Sequence, residues 1–323
     1  MEKDLTLAIC VYNAEKYIVE TLESVINQTF QNFNLLIIDD CSLDRSVVFI
    51  EKFFKEHKRQ YDLVIFERNQ GIGYARHYVE KSITTKYLMF LDADDILYPN
   101  AIALLYDKIT SDEDLMAVGC YLEYMDSDGR RIRGGIFLGE KRKEEFYAKA
   151  EKGKLIFMQP TAIYDREVAL SVGGHNMEGF PDGKPRYRDL CEDLDLWTRM
   201  SDLYVEGKAI VVVPEVLCRY RKHQQAMSTN AIGMVLRMRH IKTNVRRRRR
   251  GERDLTFVEF YEGLSDVELT GLRCDAIAAD ALRNAVFYLH RGNVFMFVWL
   301  VLKSIWYKPA YIGDKIKHNF IKK

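Results

Sequence analysis

The chain has 323 residues, of which 48% are hydrophobic and 12% aromatic, enough to bury the core of one large or two modest domains. Its formal net charge of +1 hides nine lysines or arginines within residues 237–253, which indicates a surface or tail role for that stretch alone. The six cysteines include no C-x-x-C pair, which favours free thiols in a reducing compartment over a disulfide frame or a zinc site.

The first third of the chain alternates between strand-like and helix-like segments. It starts almost at once with a strand-like run and carries no secretory signal, so we expect a cytoplasmic protein. The predicted strands are residues 5–11, 33–38, 63–66 and 87–91. Helices are predicted between them, the first two capped by Asn13 and Asp44 and the third over 73–82. This alternation indicates an α/β fold with a parallel sheet, whose ligands bind at the carboxyl ends of the strands.

The fourth predicted strand ends in three carboxylates, in the sequence YLMFLDADD at 87–95. Burying an unpaired carboxylate is costly, so Asp92, Asp94 and Asp95 are expected to face water, a cation or a ligand. Oxygen ligands that are shared with substrate phosphates suit a divalent cation. The alternative is a turn whose acids cap the helix announced by Pro99.

Asp40 closes the second predicted strand, so its carboxylate can face the same crevice as the DADD acids. The turn after the first strand, CVYNAEKY, has no glycine, which argues against a dehydrogenase-type dinucleotide site. Arg76 lies about one turn inside the third helix, within reach of a phosphate in the crevice. A surface salt bridge is an equally ordinary role for Arg76.

A second acidic pair, Glu192 and Asp193, opens a segment whose apolar residues have helical spacing. Acids in the first turn of a helix also suit its dipole, so a purely structural role is one interpretation. The other is catalytic, with one carboxylate acting as a general base that takes a proton from an attacking group.

Five blocks in this order resemble glycosyltransferase family 2, the inverting GT-A enzymes: CVYNAEKYI at 10–18, QTFQNFNLLIIDDCSLD at 28–44, RNQGIGYARH at 68–77, FLDADD at 90–95 and CEDLDLWTRM at 191–200. The resemblance covers roughly residues 6–228. It implies a Rossmann-like GT-A domain over 1–230, a mostly parallel sheet flanked by helices. Within it, about 1–115 would bind the donor and about 116–230 the acceptor, followed by a helical C-terminal extension over 231–323.

The resemblance also implies roles on the donor side. Cys10 and Tyr12 would line the base pocket, and Asp40 would accept a hydrogen bond from the base, usually uracil. Arg76 would approach the donor. Cys41 departs from the family, which usually has glycine there, so the turn after Asp40 is expected to be tighter or differently shaped.

The reacting groups follow from the same resemblance. Asp94 would hold Mg²⁺ or Mn²⁺ against the diphosphate, with Asp92 near the ribose or the metal. Asp193 would be the general base, and Glu192 would hold the acceptor or its loop. In CRYRKHQQAMS at 218–228, His223 would meet the diphosphate or the metal, although a surface histidine is an equally ordinary outcome.

The linking region and the C-terminal part are less specific. D-S-D-G at 126–129 predicts a hairpin turn, and Tyr187 with Arg188 is a candidate sugar contact. The basic run 246–250 suits a solvated helix face, an anionic lipid or, least well, a nucleic acid. The apolar run 294–302 is too short to span a bilayer and suits either an interfacial helix or a core helix; we favour peripheral membrane attachment.

Together these features predict a metal-dependent inverting glycosyltransferase that moves a sugar from a nucleotide donor, a UDP-sugar, to a glycan or lipid-linked acceptor. We expect it at the inner face of the cell membrane and without a nucleic-acid partner. The alternative is an inactive nucleotide-sugar-binding scaffold on the membrane. Donor sugar and acceptor depend on loop shapes that the motifs do not encode.

Overall fold

The structure is a computed structural model that describes residues 3–158, 161–222, 230–290 and 292–309. Within these ranges nine strands form one mixed sheet. The strands are β1 Leu5–Val11, β2 Asn34–Asp39, β3 Asp62–Ile65, β4 Tyr87–Asp92, β5 Ile96–Leu97, β6 Leu115–Met125, β7 Arg131–Ile136, β8 Ile163–Asp165 and β9 Ala209–Arg221.

Helices flank this sheet and follow it along the chain. They are α1 Ile18–Ile26, α2 Ser46–His57, α3 Ile72–Ser82, α4 Ala101–Thr110, α5 Lys143–Glu151, α6 Arg166–Ser171, α7 Glu192–Met200, α8 Ala231–Arg248, α9 Phe257–Glu262, α10 Asp266–His290 and α11 Val294–Tyr307. Two short 3₁₀ helices cover Tyr187–Asp189 and Ser201–Glu206.

The chain divides into two compact units. Unit 1 comprises 1–178, 191–223 and 245–252, and unit 2 comprises 179–190, 224–244 and 253–323. The sheet and its large apolar core belong to unit 1.

The sheet has the order β3-β2-β1-β4-β8-β6-β9-β5, with β7 beside β6. The first four strands are parallel, which confirms the alternation predicted from the sequence. Beyond β4 the sheet is mixed: β8 is antiparallel to β4 and β6, whereas β9 runs parallel to β6. The predicted D-S-D-G turn lies between β6 and β7, which form an antiparallel hairpin.

The strands are nearly continuous apolar runs because helices cover both faces of a parallel sheet. In β1 the side chains of Leu5, Leu7 and Ile9 are fully buried, and so are Leu88 and Met89 in β4. The register sets Cys10 opposite Asp92 at the carboxyl ends of these two strands.

The predicted cap of the first helix is wrong. Asn13 has a φ of 52°, and its side chain accepts a hydrogen bond from the backbone of Leu43 at 2.8 Å. The helix begins only at Ile18, because the intervening turn is fixed by the 42–46 loop; Ser46 Oγ, for example, accepts from the backbone N–H of Ala14. The predicted cap of the second helix is also wrong: Asp44 accepts from the backbone N–H of Ser46, the first residue of α2, but the N-cap is Arg45.

A buried polar cluster joins α3 to the turn after α6. Glu80 of α3 is fully buried and accepts hydrogen bonds from the Tyr164 hydroxyl at 2.8 Å and from the backbone N–H of His175 at 2.7 Å. Its Oε1 lies 2.8 Å from His175 Nδ1. Burial alone would raise the pKa of Glu80, but the charge and hydrogen bonds of His175 lower that pKa to about 2. A Cβ on Gly174, which has a φ of +57°, would lie 2.6 Å from Glu80.

The basic run 246–250 is ion-paired within unit 1. Arg248 and Arg249 both contact Asp202, and Arg249 also donates to the backbone of Ala150 at 2.9 Å. Arg247 and Arg250 pair with Glu252. Four of the five arginines therefore have partners in their own chain, which favours a structural role over an anionic-ligand patch.

Among its described residues, unit 2 has two apolar clusters. Leu236, Phe257 and Phe260 form one, on which Tyr187 stacks through Phe257 with ring centroids 4.4 Å apart. In the other, α10 and α11 pack together through Ala281, Ala285 and Leu300. Across the ranges that the structure describes, every helix falls short of the length and apolarity that crossing a bilayer requires.

Candidate active site

The candidate site lies in unit 1, at the carboxyl ends of β1, β2 and β4. Asp40 directly follows β2, and its backbone N–H donates to Val11 at the end of β1. Cys10 is next to Asp92 across the β1–β4 pair. Burial raises the pKa of the Cys10 thiol to about 12, so it is a neutral, weakly polar wall.

Asp40 holds the loop that leads into α3. Its Oδ1 accepts from the backbone of Gln70, and its Oδ2 accepts from Gly71 N and Asn69 Nδ2, all within 2.8 Å. Together these bonds fix the loop at the carboxyl end of β2. The left-handed φ of 94° at Gly71 lets α3 begin directly after this loop.

Cys41 follows in the left-handed region, with a φ of 61°. The turn therefore adopts a conformation that glycine takes without strain, although the residue is cysteine.

The three acids at the end of β4 have different environments. Asp92 and Asp94 are half-buried, whereas Asp95 is buried and accepts a hydrogen bond from the backbone of Arg221 at 2.9 Å. Burial raises the pKa of Asp92, Arg76 lowers it, and the nearby charges of Asp94 and Asp193 raise it. Negative charge is therefore concentrated here, which is the setting that a cation would relieve.

Arg76 links the two predicted acidic motifs. One terminal nitrogen donates to Asp92 Oδ1 at 2.8 Å, and the other donates to Glu192 Oε1 at 2.6 Å. The side chain is 3% exposed, and its guanidinium lies over the ring of Phe90, 5.3 Å from the centroid. Arg76 thus fixes the end of β4 against the start of α7. Its contact with Glu192 joins residues 116 positions apart in the sequence.

Glu192 and Asp193 form the first turn of α7, as predicted. The preceding residue, Cys191, has a φ of 55°, a strained conformation that turns the chain sharply into the helix. Leu196, Trp197 and Met200 are buried and hold the helix on the core of unit 1. Burial raises the pKa of Glu192 to about 8 against the opposing effect of Arg76, whereas Asp193 is half-buried.

Sequence reasoning missed Arg221, the last residue of β9. Its side chain is 1% exposed and donates to the backbone carbonyl of Asp94 at 2.8 Å and to Glu20 of α1 at 2.7 Å. A second terminal nitrogen reaches the backbone of Ser127 in the hairpin turn at 3.3 Å. The CRYRKHQQAMS stretch at 218–228 was the available signal, but it drew attention to His223 and not to the arginine.

The structure brings most of the predicted residues together. Cys10, Asp40, Arg76, Asp92, Asp94, Glu192 and Asp193 all belong to unit 1 and surround the ends of β1, β2 and β4 or the start of α7. Tyr12 follows β1 and is 48% exposed. His223 lies outside the described residues, and Tyr187 and Arg188 belong to unit 2.

The carboxylate oxygens of the site suit a divalent cation whose remaining ligands come from a substrate. No group of three acidic, histidine or cysteine side chains forms a ready-made metal cage within the described ranges. Mg²⁺ is commonly held by one or two carboxylates together with substrate phosphates and water. Asp92 and Asp94, two hard oxygen donors with excess negative charge, match that requirement.

Comparison with known proteins decides the family. The model of glycosyl transferase family 2 matches residues 6–173, about half of the chain. The chain belongs to glycosyltransferase family 2. This glycosyltransferase is 32% identical over 158 residues to the teichoic acid poly(glycerol phosphate) polymerase of Staphylococcus epidermidis, but covers only 22% of that protein. It is 29% identical over 226 residues to glycosyltransferase GlyG of Streptococcus pneumoniae, covering 69% of this chain and 72% of GlyG.

Solved structures support the GT-A fold of the glycosyltransferase. It superposes on S. aureus TarS 1-349 in complex with UDP-GlcNAc with a TM-score of 0.54 at 18% identity, covering 92% of this chain and 90% of TarS. The mannosyltransferase PcManGT of Pyrobaculum calidifontis, in complex with GDP-Man and Mn²⁺, gives 0.54 at 18% identity, covering 94% and 88%. The family and the fold are those of a transferase.

Proposed function

We propose that this family 2 enzyme is a metal-dependent inverting glycosyltransferase that moves a sugar from a UDP-sugar onto a glycan or lipid-linked acceptor. The observation that carries the proposal is the Arg76 bridge between Asp92 and Glu192. It joins the acids of β4 and the acids of α7 in one polar centre. A donor diphosphate and an acceptor hydroxyl need those two sets of carboxylates side by side.

On the donor side, the proposal gives Asp94 the role of principal metal ligand and Asp92 a supporting role. When bound, Mg²⁺ or Mn²⁺ would neutralise the negative charge that develops on the departing diphosphate. Arg221 would hold the backbone of Asp94 in position, because it is a buried donor to that carbonyl. His223 would contribute to the diphosphate or metal site.

In this proposal, the pocket for the nucleotide base consists of Cys10, Tyr12 and Asp40. Asp40 directly follows β2 and would accept a hydrogen bond from an N–H group of the base. Arg76 would act first by positioning Asp92 and Glu192, since both of its terminal nitrogens are engaged there.

Asp193 is the proposed general base. Glu192 is bound to Arg76 and has a pKa raised to about 8, which suits holding the acceptor or the loop. Asp193, in the same helical turn and half-buried, would take the proton of the acceptor hydroxyl as its oxygen attacks the anomeric carbon. Attack from the face opposite the nucleotide breaks the sugar–phosphate bond in one displacement and inverts the anomeric configuration.

The class of donor and acceptor also belongs to the proposal. TarS binds UDP-GlcNAc, and PcManGT binds GDP-Man, so neighbours with this fold use different nucleotides. The name of the staphylococcal polymerase connects that relative with a cell-envelope polymer. We therefore propose a role in polysaccharide biosynthesis at the cytoplasmic face of the membrane.

The test separates donor binding from transfer. We expect UDP-sugars with Mn²⁺ to raise the Tm of the wild type and of Asp193→Asn, since ligands that bind only the folded state stabilise it. Asp94→Asn should lose the Mn²⁺-dependent part of that shift. Asp193→Asn should lower kcat by about 100-fold or more, within the range of general-base catalysis.

Asp128→Asn is the matched control, because Asp128 is an exposed carboxylate in the hairpin turn. It should leave both the Tm shift and kcat unchanged. NMR of the product should show the inverted anomer. Full turnover by Asp193→Asn would remove the assigned base, and a Tm shift with GDP-sugars alone would replace the donor class.

A further inference from the structure

The outer face of α11 is a continuous apolar surface. We use this name for Val294, Phe295, Val298, Trp299, Leu302, Ile305 and Trp306, which are all exposed. At helical spacing they fall on one side of the helix, and none of them is charged. Phe295 is 81% exposed and Trp306 84% exposed, so the face is open at both ends of the helix.

The opposite side of α11 already has a partner. Leu300 is buried against Ala281 and Ala285 of α10, and the Ser304 hydroxyl donates to the carbonyl of Ala278 at 2.9 Å. The helix is therefore held in place without its outer face. This arrangement differs from an ordinary core helix, which would bury its aromatic side chains first.

We propose that the outer face of α11 docks on an anionic lipid bilayer, with the helix lying in the plane of the interface. Its 14 residues span about 21 Å, too short to cross the hydrocarbon core. An in-plane helix needs one apolar side and one side held elsewhere, which is what α10 provides. Exposed tryptophans are the residues that membrane interfaces enrich.

Charge distinguishes a bilayer from a second copy of the chain. Residues 294–323 contain six lysines and one aspartate. A symmetric dimer through α11 would bring two such basic segments together, whereas anionic headgroups attract them. Lys303 lies at the edge of the outer face, with its ammonium 5.5 Å from the centroid of the Trp299 ring, where it can reach headgroups.

This surface supplies the membrane contact in the proposed function, but it is tested without any nucleotide sugar. The full chain is mixed with vesicles of phosphatidylcholine containing phosphatidylglycerol, and with phosphatidylcholine alone, at low and high salt. We expect sedimentation with the anionic vesicles, weakened by salt, and a blue shift in tryptophan emission. Trp197 is buried in unit 1, so the shift would come from Trp299 and Trp306.

The double variant Phe295→Ser/Trp306→Ser should lower the vesicle partition coefficient by about tenfold or more, because two large aromatic anchors are removed. Val267→Ser is the matched control: Val267 is 82% exposed in the first turn of α10, outside the outer face. It should bind vesicles like the wild type. Circular dichroism melts should be the same for all three proteins.

Unchanged vesicle binding by the double variant would overturn the proposal. So would light scattering that shows a wild-type dimer which the double variant converts to a monomer, with no vesicle binding. Each of these outcomes leaves the proposed glycosyl transfer untouched.

Discussion

Replacing Glu80 with glutamine removes the only negative charge that His175 approaches in the cluster of Glu80, Tyr164 and His175, as far as the described residues show. Glutamine keeps the size of the side chain and can still accept from the Tyr164 hydroxyl. The substitution therefore isolates the charge from the packing. Arg166, which donates to the backbone carbonyl of Glu80 at 2.7 Å, keeps its partner.

The magnitude follows from the pKa of Glu80. That pKa is about 2 in the folded chain, against 4.5 for the free side chain. The difference corresponds to about 3 kcal/mol of folding free energy at neutral pH. Because the folded-state pKa is lowered, this contribution is fully present above the unfolded pKa of 4.5 and is lost as the pH falls toward 2.

The assay is urea unfolding of the wild type and Glu80→Gln at about pH 7 and about pH 3. We expect a gap of about 3 kcal/mol at the higher pH and a clearly smaller gap at the lower one. His175→Gln is the companion variant. In that background, Glu80→Gln should no longer lower the free energy of unfolding, since the group that lowers the pKa of Glu80 is gone. An equal gap at both pH values would refute the reasoning, because a charge-independent loss cannot titrate.

Two further substitutions test the supports of the candidate site. Arg221→Lys should lower the Tm and reduce the free energy of unfolding by about 3 kcal/mol, because lysine cannot satisfy the Asp94 carbonyl, Ser127 and Glu20 together. It should also raise the Mn²⁺ concentration needed for half-maximal activity. Arg219→Lys on the same strand should change neither the stability nor that concentration. Cys41→Gly should raise stability by up to about 1 kcal/mol, since a φ of 61° costs a non-glycine residue energy; a lower Tm in thermal unfolding would show that the Cys41 side chain stabilises the turn.

The sequence predicted the parts of the fold that depend on local pattern. Continuous apolar runs gave β1, β2 and β4, and the spacing of Leu194, Leu196 and Trp197 gave α7. The cap at Asn13 was wrong, because the start of α1 is decided by the 42–46 loop from another part of the chain. The antiparallel pairing of β8 with β4 and β6 had no local signal either.

The candidate site divides in the same way. Its acids could be found because they lie at strand and helix ends. An unpaired carboxylate there is stable only near water or a ligand, since burying it costs free energy. The contact of Arg76 with Glu192 joins residues 116 positions apart, and no spacing rule predicts it. The ion pairs of Arg248 and Arg249 with Asp202 likewise depend on packing within unit 1. From the sequence alone, the basic run therefore looked more accessible to an anionic ligand than it is.

The position of Arg221 at the end of β9 has a consequence for engineering. The family model ends at residue 173, yet the Asp94 loop is secured by a side chain 48 residues beyond that limit. A chimaera that exchanges everything after 173 to change the acceptor would remove this support together with Glu192 and Asp193. A recombination boundary placed after residue 222 keeps the Asp94 loop and Arg221 in a segment from the same parent protein.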